Sequence, residues 1–227
     1  MDIATFVERG LRHALTDRDW AHIELQALDV EAQLLAIKSL IRRNLQADED
    51  LNRRINDLRK QDSEGNGFWV DDIYQSFFQE AAHSMAAAGM LAPFIEAIFA
   101  AIFPCLPKEK KKKNQGIAKA ITCLSKSKKL THFFPDDYEK TIEALFLYRN
   151  KMFHNGFIWP ENKRNEFQKR IKEGGWPQSW FQETTYKDSR EKTEKPWILY
   201  MSTEFIEHCL WTIEQVLDGY GKSLGTT

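Results

Sequence analysis

The feature that most constrains the fold is a helical repeat of apolar residues that runs from Val70 to Phe103. Apolar or small residues recur there at steps of three and four, which is the spacing of one face of an α-helix. They are Val70, Ile73, Phe77, Ala81, Ser84, Ala88, Leu91, Ile95, Ile98 and Ile102. Pro93 lies inside the repeat and is expected to kink or divide the helix, because proline lacks a backbone donor. The pattern predicts a long helix with one buried face, and therefore a helical core.

A second helical repeat precedes the first one along the chain. Between about Asp29 and Lys60, apolar residues again recur at steps of three and four and predict one long helix. They are Val30, Leu34, Ile37, Ile41, Leu51, Ile55 and Leu58. Asn44 and Asp48 occupy the two positions where this stripe should continue. We therefore expect the second half to be a thin, charged helix that projects or pairs with a partner.

Composition places the chain among globular proteins, with 42% hydrophobic and 29% charged residues. A net charge of −1 argues against coating nucleic acid by bulk charge, although it permits a local basic patch. Cys105, Cys123 and Cys209 lie far apart, without a CxxC pair or a histidine at zinc-ligand spacing. We expect free thiols in a reducing compartment. The N-terminus shows no basic region followed by an apolar run, so we expect a cytoplasmic protein.

One stretch, Met85–Phe103, is long enough to span a bilayer. Alanine is nearly neutral toward lipid, however, and Glu96 lies inside the stretch. We expect a buried core helix and no association with a membrane. Small residues in this helix would let another helix approach closely, either from the same chain or from a second copy. They are Ala86, Ala87, Ala88, Gly89 and Ala92.

The pattern changes between Ile158 and Tyr200, where tryptophans lie among proline, glycine and charged residues. A short charged helix is predicted near Glu161–Lys172. The segments SWFQETTYKD and PWILYMS then alternate well enough to be two strands of a hairpin. A final helix is predicted from about Thr203 to Leu217.

Together these patterns predict the fold class and its division. The chain is expected to be all-α, a helical bundle with a long N-terminal helix and a small β-hairpin or loop insertion before the last helix. The break SEGNG at Ser63–Gly67 separates an N-terminal helical extension, residues 1–66, from the bundle, residues 67–227. The insertion covers residues 158–200.

The main functional clue is a polar stretch at the end of a late helix, LYRNKMFHNG at Leu147–Gly156. The helix follows FFPDD, where Asp136 or Asp137 can cap it, and Asn155-Gly156 predicts its end. Cations near a helix C-terminus often do no more than complement the helix dipole. The Arg-Asn pair nevertheless interrupts an apolar run, and burying that pair without a purpose would be costly.

The spacing of these polar residues limits how they can act together. Asn150 and His154 are four residues apart and therefore project from the same face. Arg149 and His154 are five apart, which is roughly 140° around an ideal helix. These two side chains converge on one small group only if the helix end is irregular or a second chain supplies the partner.

The segment RNKMFH, Arg149–His154, resembles the Arg-polar-x3-His signature of HEPN domains. As in that family, it stands near the end of a late bundle helix. The likeness covers roughly Val70–Gly156 and the C-terminal helix. It implies a HEPN-like bundle, usually a homodimer, in which the paired motifs face each other across a cleft. Many members of that family are metal-independent ribonucleases. It further implies no cofactor, no metal, RNA as the partner, and a toxin or defence setting that leaves room for a regulatory protein.

These residue types suit RNA cleavage without a metal, in which the 2′-hydroxyl of the substrate is the nucleophile. A histidine that titrates near neutrality can act as general base or acid, so His154 would move the proton. Arg149 would fork onto the phosphate and stabilise the developing charge, while Asn150 would orient His154 or the phosphate. The expected products carry a 2′,3′-cyclic phosphate and a 5′-hydroxyl.

The chain departs from one pattern within the family. HEPN toxins that are silenced by adenylylation carry a tyrosine two positions after the motif histidine, and Gly156 stands at that place here. The resemblance does not carry that form of regulation over to this chain.

Two further features could contact RNA. Lysines in the loop KEKKKKN could bind phosphates non-specifically, or the loop could simply be solvated. The candidates there are Lys110, Lys111, Lys112 and Lys113. The tryptophans of the insertion could stack on bases, or could pack the hairpin onto the bundle.

Other kinds of function remain open at this stage. The sequence contains no HExxH, no carboxylate cluster paired with histidine and no phosphate-binding loop between a strand and a helix. One alternative is a catalytically inactive HEPN-like module that binds RNA, a nucleotide or another protein. Another is a scaffold that recruits a partner through the N-terminal helix, in which case the motif would be buried in its own bundle.

Overall fold

The computed structural model describes residues 17–62, 70–105, 122, 125–126, 130–157, 159–187 and 194–224. The main helices are α1 (Asp17–Gln61), α2 (Val70–Cys105), α3 (Tyr138–Asn155), α4 (Glu161–Gly174) and α5 (Thr203–Leu224). Strands β1 (Phe181–Lys187) and β2 (Glu194–Met201) pair antiparallel between α4 and α5, with Phe181 opposite Met201. The predicted all-α class with a small hairpin before the last helix is confirmed.

The described residues form two compact units, and each draws on segments that are distant in sequence. The first takes residues 17–37, 90–105, 122, 125–126, 130–146 and 208–224. The second takes residues 38–62, 70–89, 147–157, 159–187 and 194–207. These two units do not test the predicted boundary at residue 66 between the N-terminal extension and the bundle, which stays a prediction.

The apolar stripe of α1 is buried at Leu34, Ile37, Ile41 and Ile55 and partly buried at Leu51 and Leu58. At the break in the stripe, the Asp48 carboxylate accepts a hydrogen bond of 2.8 Å from Gln79 of α2. The Nδ1 atom of His83 lies 2.9 and 3.0 Å from the two oxygens of the same carboxylate.

These contacts identify the partner of the charged half of α1. Asn52 of α1 adds a bond of 3.1 Å to Glu80 of α2, also within the second unit. The helix therefore does not project, and it pairs with the first half of α2 of the same chain. Polar contacts replace apolar packing where Asp48 interrupts the stripe.

We expect Asp48→Ala to lower the free energy of unfolding by about 1–3 kcal/mol, because it leaves two partly buried donors without an acceptor. Urea denaturation followed by circular dichroism measures the loss. Asp50→Ala is the matched control, since Asp50 lies on the same helix and bonds only to exposed side chains, Gln46 and Arg53. Equal stability losses in the two variants would show that the Asp48 contacts contribute nothing specific.

The helix α2 is continuous through Pro93, whose side chain is exposed, so proline does not divide it. Its predicted inner face is buried at Ala81, Ser84, Ala88, Leu91, Ile95 and Ile98. Between Gln75 and Phe99, the helix is long and apolar enough to cross a membrane by length and composition alone. Half of the window that passes this test is buried within the protein.

An aromatic cluster forms the core of the second unit around Phe167, which is fully buried. The Phe167 ring meets Trp159 and Phe181 edge-to-face, with ring centres 5.2 and 4.9 Å apart. It also contacts Tyr148 and Trp176.

This aromatic core determines the environment of the tryptophans in the insertion. Trp159, Trp176 and Trp180 are at most 4% exposed. The hypothesis that these three stack on bases is therefore wrong, and the packing alternative is confirmed. The Trp197 side chain lies outside the described residues.

Candidate functional site

The helix that carries the motif ends where the sequence predicts. The backbone N–H of Gly156 donates to the Met152 carbonyl at 2.8 Å, and Gly156 adopts a positive φ of 68°. The side chain of Asn155 donates to the Lys151 carbonyl at 2.7 Å. A left-handed residue closes the helix here, and glycine takes that conformation without strain. A tyrosine at this position, as in the adenylylated toxins, would be strained.

The inner side of the same turns is anchored within the second unit. Tyr148 is fully buried, and its hydroxyl lies 2.9 Å from the Ser84 hydroxyl of α2. The Ser84 oxygen accepts a bond of 2.8 Å from the backbone N–H of Met201 in β2. Met152, one turn later, is also fully buried. This side of α3 is thereby fixed to α2 and to the hairpin.

Burial of Tyr148 predicts a loss of stability in alkali. Burial raises the pKa of its hydroxyl above the ordinary value of about 10. The stabilising contribution is complete below about pH 10 and shrinks as the pH rises further, because the unfolded chain then releases a proton that the folded chain keeps. We expect the thermal midpoint to fall as the pH rises above about 10.

Tyr148→Phe tests this assignment. The variant should be less stable than wild type at neutral pH, but its midpoint should fall less steeply in alkali. Some slope should remain, since burial and a hydrogen bond to Glu80 raise the pKa of Tyr200 in the same way. Identical slopes in thermal melts of the two proteins would contradict the prediction.

On the outer side, Arg149 is partly exposed, whereas Asn150 and His154 are exposed. An Nη1 atom of Arg149 donates to the Asn150 side-chain oxygen at 2.9 Å. The guanidinium carbon lies 5.3 Å from the ring centre of Phe153, which is 56% exposed. The Nε–H of Arg149 is buried and has no acceptor anywhere in the described part of the chain. An unpaired buried donor on a cation is costly, so this group lacks a partner that an anion could supply.

The structure brings only part of the predicted constellation together. Arg149 and Asn150 are bonded, and His154 shares the face of Asn150 one turn later. The regular helix through Asn155 keeps Arg149 and His154 roughly 140° apart. The first route to convergence, an irregular helix end, is therefore excluded. A second chain remains the other route.

The small residues of α2 meet the motif within one chain. At Gly89, a Cβ atom would lie 3.1 Å from Cζ of Phe153, which is tighter than ordinary contact. The helix that approaches α2 closely at Gly89 is therefore α3 of the same chain. Of the two neighbours that the small residues allowed, the same chain and a second copy, the first is found at this position. The close approach holds the Phe153 ring beside Arg149.

Two charged residues at this site, Lys151 of the motif and Glu166 of α4, were not identified as functional from the sequence. Lys151 is paired with Glu166 of α4, and Glu166 also lies 3.4 Å from Lys163. Lys151 stands inside the RNKMFH motif and follows Asn150 directly, so its position could have been noticed. Nothing in the sequence indicates that α4 would bring a carboxylate to it.

The remaining candidates are placed as follows. Lys110, Lys111, Lys112 and Lys113 lie outside the described residues, so their proposed role stays a prediction. His208 belongs to the first unit, where its Nε2 atom lies 2.9 Å from Asp137 and 3.1 Å from the Thr141 hydroxyl. Cys209 is a buried free thiol whose pKa is raised by burial.

Within the described ranges, no three His, Cys, Asp or Glu side chains form a group that could hold a metal ion. The candidate site consists of Arg149, Asn150 and His154.

Comparison of the chain with family models, curated proteins and solved structures finds no match.

Proposed function

We propose that the protein is a HEPN-type, metal-independent endoribonuclease that acts as a homodimer through Arg149, Asn150 and His154. One observation carries the proposal: Arg149 keeps a buried donor unpaired within the described chain, beside the exposed side chains of Asn150 and His154. A side chain that only complemented the helix dipole would not need an exposed asparagine and histidine beside it. The exposure of Asn150 and His154 also argues against the scaffold alternative, which required a buried motif.

The reaction proposed at this site is an internal transesterification. The 2′-oxygen of a ribose attacks the adjacent phosphorus while the bond from phosphorus to the 5′-oxygen breaks. His154 takes the 2′-hydroxyl proton as general base, and an acid returns a proton to the 5′-oxygen that leaves. The products are a 2′,3′-cyclic phosphate and a 5′-hydroxyl end.

Arg149 is assigned to the phosphate. Its guanidinium now bonds to Asn150 and lies over Phe153, so it must turn from this position to place its fork on two phosphate oxygens. The charge that develops on those oxygens would then be stabilised in place. Asn150, once released, can hold His154 or the phosphate.

A second copy is part of the proposal because one helix cannot aim both catalytic groups at one phosphate. Across a two-fold axis, the partner motif would place a second arginine and a second histidine opposite the first pair. One histidine could then act as base and the other as acid. This arrangement assigns both proton transfers without a metal ion.

A catalytically inactive RNA-binding or protein-interaction module is the second candidate. The bond from Nη1 of Arg149 to Asn150 favours it, because an arginine that is held by its neighbour could serve recognition alone. In either case a regulatory protein in a toxin or defence system is a natural partner for this face.

The test is incubation of the purified protein with end-labelled structured RNA in excess EDTA. Cleavage that survives the chelator and leaves 2′,3′-cyclic phosphate ends is the expected result. Intact RNA that is nevertheless retained by the protein would favour the binding module. RNA that is neither cut nor bound would overturn both.

A further inference from the structure

We propose that Lys151 is an additional phosphate-binding residue of this site and that Glu166 of α4 masks its charge. The inference rests on the proposed function and deepens it, because it assigns the insertion a role in setting the affinity for RNA. A phosphate of the bound strand would take the place of the Glu166 carboxylate on Lys151.

The position of Lys151 on α3 supports this role. It precedes His154 by three residues and Asn150 precedes His154 by four, so the two flank the histidine on adjacent parts of the helix surface. A cation there lies beside any phosphate that His154 serves. The Lys151 side chain is 20% exposed, and its ammonium group donates a hydrogen bond to the Glu166 carboxylate.

Glu166 is well suited to a reversible masking role. Its side chain is 53% exposed, so water and a competing anion can reach it. Hydrogen bonds from Lys151 and then Lys163 lower the pKa of this carboxyl, which therefore stays ionised near neutral pH. Lys163 lies 3.4 Å from the same oxygen and would keep a partner for the carboxylate after Lys151 is released.

The exchange should be easy because exposed ion pairs contribute little net stability. One anion on Lys151 is replaced by another, while the displaced carboxylate returns to water and to Lys163. The masked site should therefore bind RNA several-fold more weakly than an unmasked one, but it should not be closed. The salt dependence of RNA binding measures whether Lys151 contacts a phosphate. Each phosphate contact to a single strand steepens the plot of log affinity against log salt concentration by about 0.7.

The experiment measures binding of wild type and Glu166→Gln to a fluorescent single-stranded RNA with 2′-O-methyl riboses, which cannot undergo the cleavage reaction. We expect Glu166→Gln to bind about two- to fivefold more tightly at low salt. The gain should disappear when Lys151→Gln is added. Lys151→Gln alone should bind more weakly and lower the salt slope by about 0.7.

Glu173→Gln is the matched control. It removes the same charge from the same helix, but Glu173 pairs with Lys169 and Arg170 instead of the motif. An equal gain in Glu173→Gln would show that bulk charge, and not Lys151, sets the affinity, and would overturn the inference.

The outcomes separate this inference from the proposed function. If unmodified RNA is cleaved but Glu166→Gln and Lys151→Gln bind like wild type, the inference fails and the ribonuclease proposal stands. If no variant binds or cleaves RNA, both fail. If Glu166→Gln binds RNA more tightly, this gain depends on Lys151 and no RNA is cleaved, the inference holds for a catalytically inactive module.

Discussion

His154→Ala is expected to lower the rate of RNA cleavage by about 10²–10⁴-fold, because the 2′-hydroxyl proton then has no positioned acceptor. Arg149→Ala should cost about 10²–10³-fold, the usual effect of removing a group that stabilises transition-state charge. Both rates are measured under single-turnover conditions in EDTA with an end-labelled RNA. Neither change should unfold the protein, since the His154 side chain is exposed and the Arg149 side chain is partly exposed.

The chain offers matched controls for both substitutions. His132→Ala removes another exposed histidine, and Arg53→Ala removes an exposed arginine that pairs only with Asp50 in the described structure. These variants should cleave RNA at wild-type rates. If His132→Ala or Arg53→Ala reduced activity as much as the motif variants do, the assignment of Arg149 and His154 would be wrong.

Mixing the two inactive variants tests whether the site is shared between copies. A mixed dimer of Arg149→Ala and His154→Ala retains one arginine and one histidine, which lie on different chains. Activity should therefore return in part when the proteins are exchanged with each other, if residues from both copies act on one phosphate. Separate sites within each copy would leave the mixture as inactive as its components.

Local sequence patterns predicted most of the secondary structure. The end of α3 was predicted at Asn155-Gly156, because a left-handed glycine terminates a helix through its own backbone preference. The end of α5 was predicted near Leu217, yet the helix continues to Leu224. A Cβ at Gly219 would lie 2.3 Å from the Phe133 carbonyl oxygen, so close packing of this segment requires glycine. Tertiary packing thus extends the helix through a glycine of low helix propensity, beyond the last predicted position.

Pairings between distant segments could not be predicted in this way. Periodicity showed that Asp48 breaks an apolar stripe, but it gave no means of choosing His83 as the partner. It likewise placed Lys151 in the motif without linking it to Glu166. A repeat of 3.6 residues reports which residues share a face, whereas the identity of the opposing face depends on how helices pack. The orphaned Nε of Arg149 is also visible only in three dimensions.

Phe167→Ala is expected to lower the free energy of unfolding by about 3–5 kcal/mol, the largest stability effect predicted here. The Phe167 ring is fully buried and touches Tyr148, Trp159, Trp176 and Phe181. Removing it leaves a cavity that rigid aromatic neighbours cannot easily fill. Urea denaturation followed by tryptophan fluorescence measures the loss, since two of these neighbours are tryptophans.

Phe153→Ala is the matched control, because it removes the same atoms from a ring that is 56% exposed. Its cost should be about 1 kcal/mol or less. The contrast between the two phenylalanines tests whether α4 and the hairpin form one core with the end of α3, as the aromatic contacts indicate. A loss below about 1 kcal/mol in Phe167→Ala would contradict that arrangement.

The same substitution connects stability to the proposed site. Tyr148, a neighbour of Phe167, directly precedes Arg149, so the aromatic cluster holds the helix that presents the motif. We expect Phe167→Ala to lose RNA cleavage only in proportion to the unfolded fraction. A stabilising osmolyte such as trimethylamine N-oxide should then restore activity to Phe167→Ala but not to His154→Ala. Activity that stays lost in the refolded variant would mean that Phe167 also sets the position of the catalytic groups.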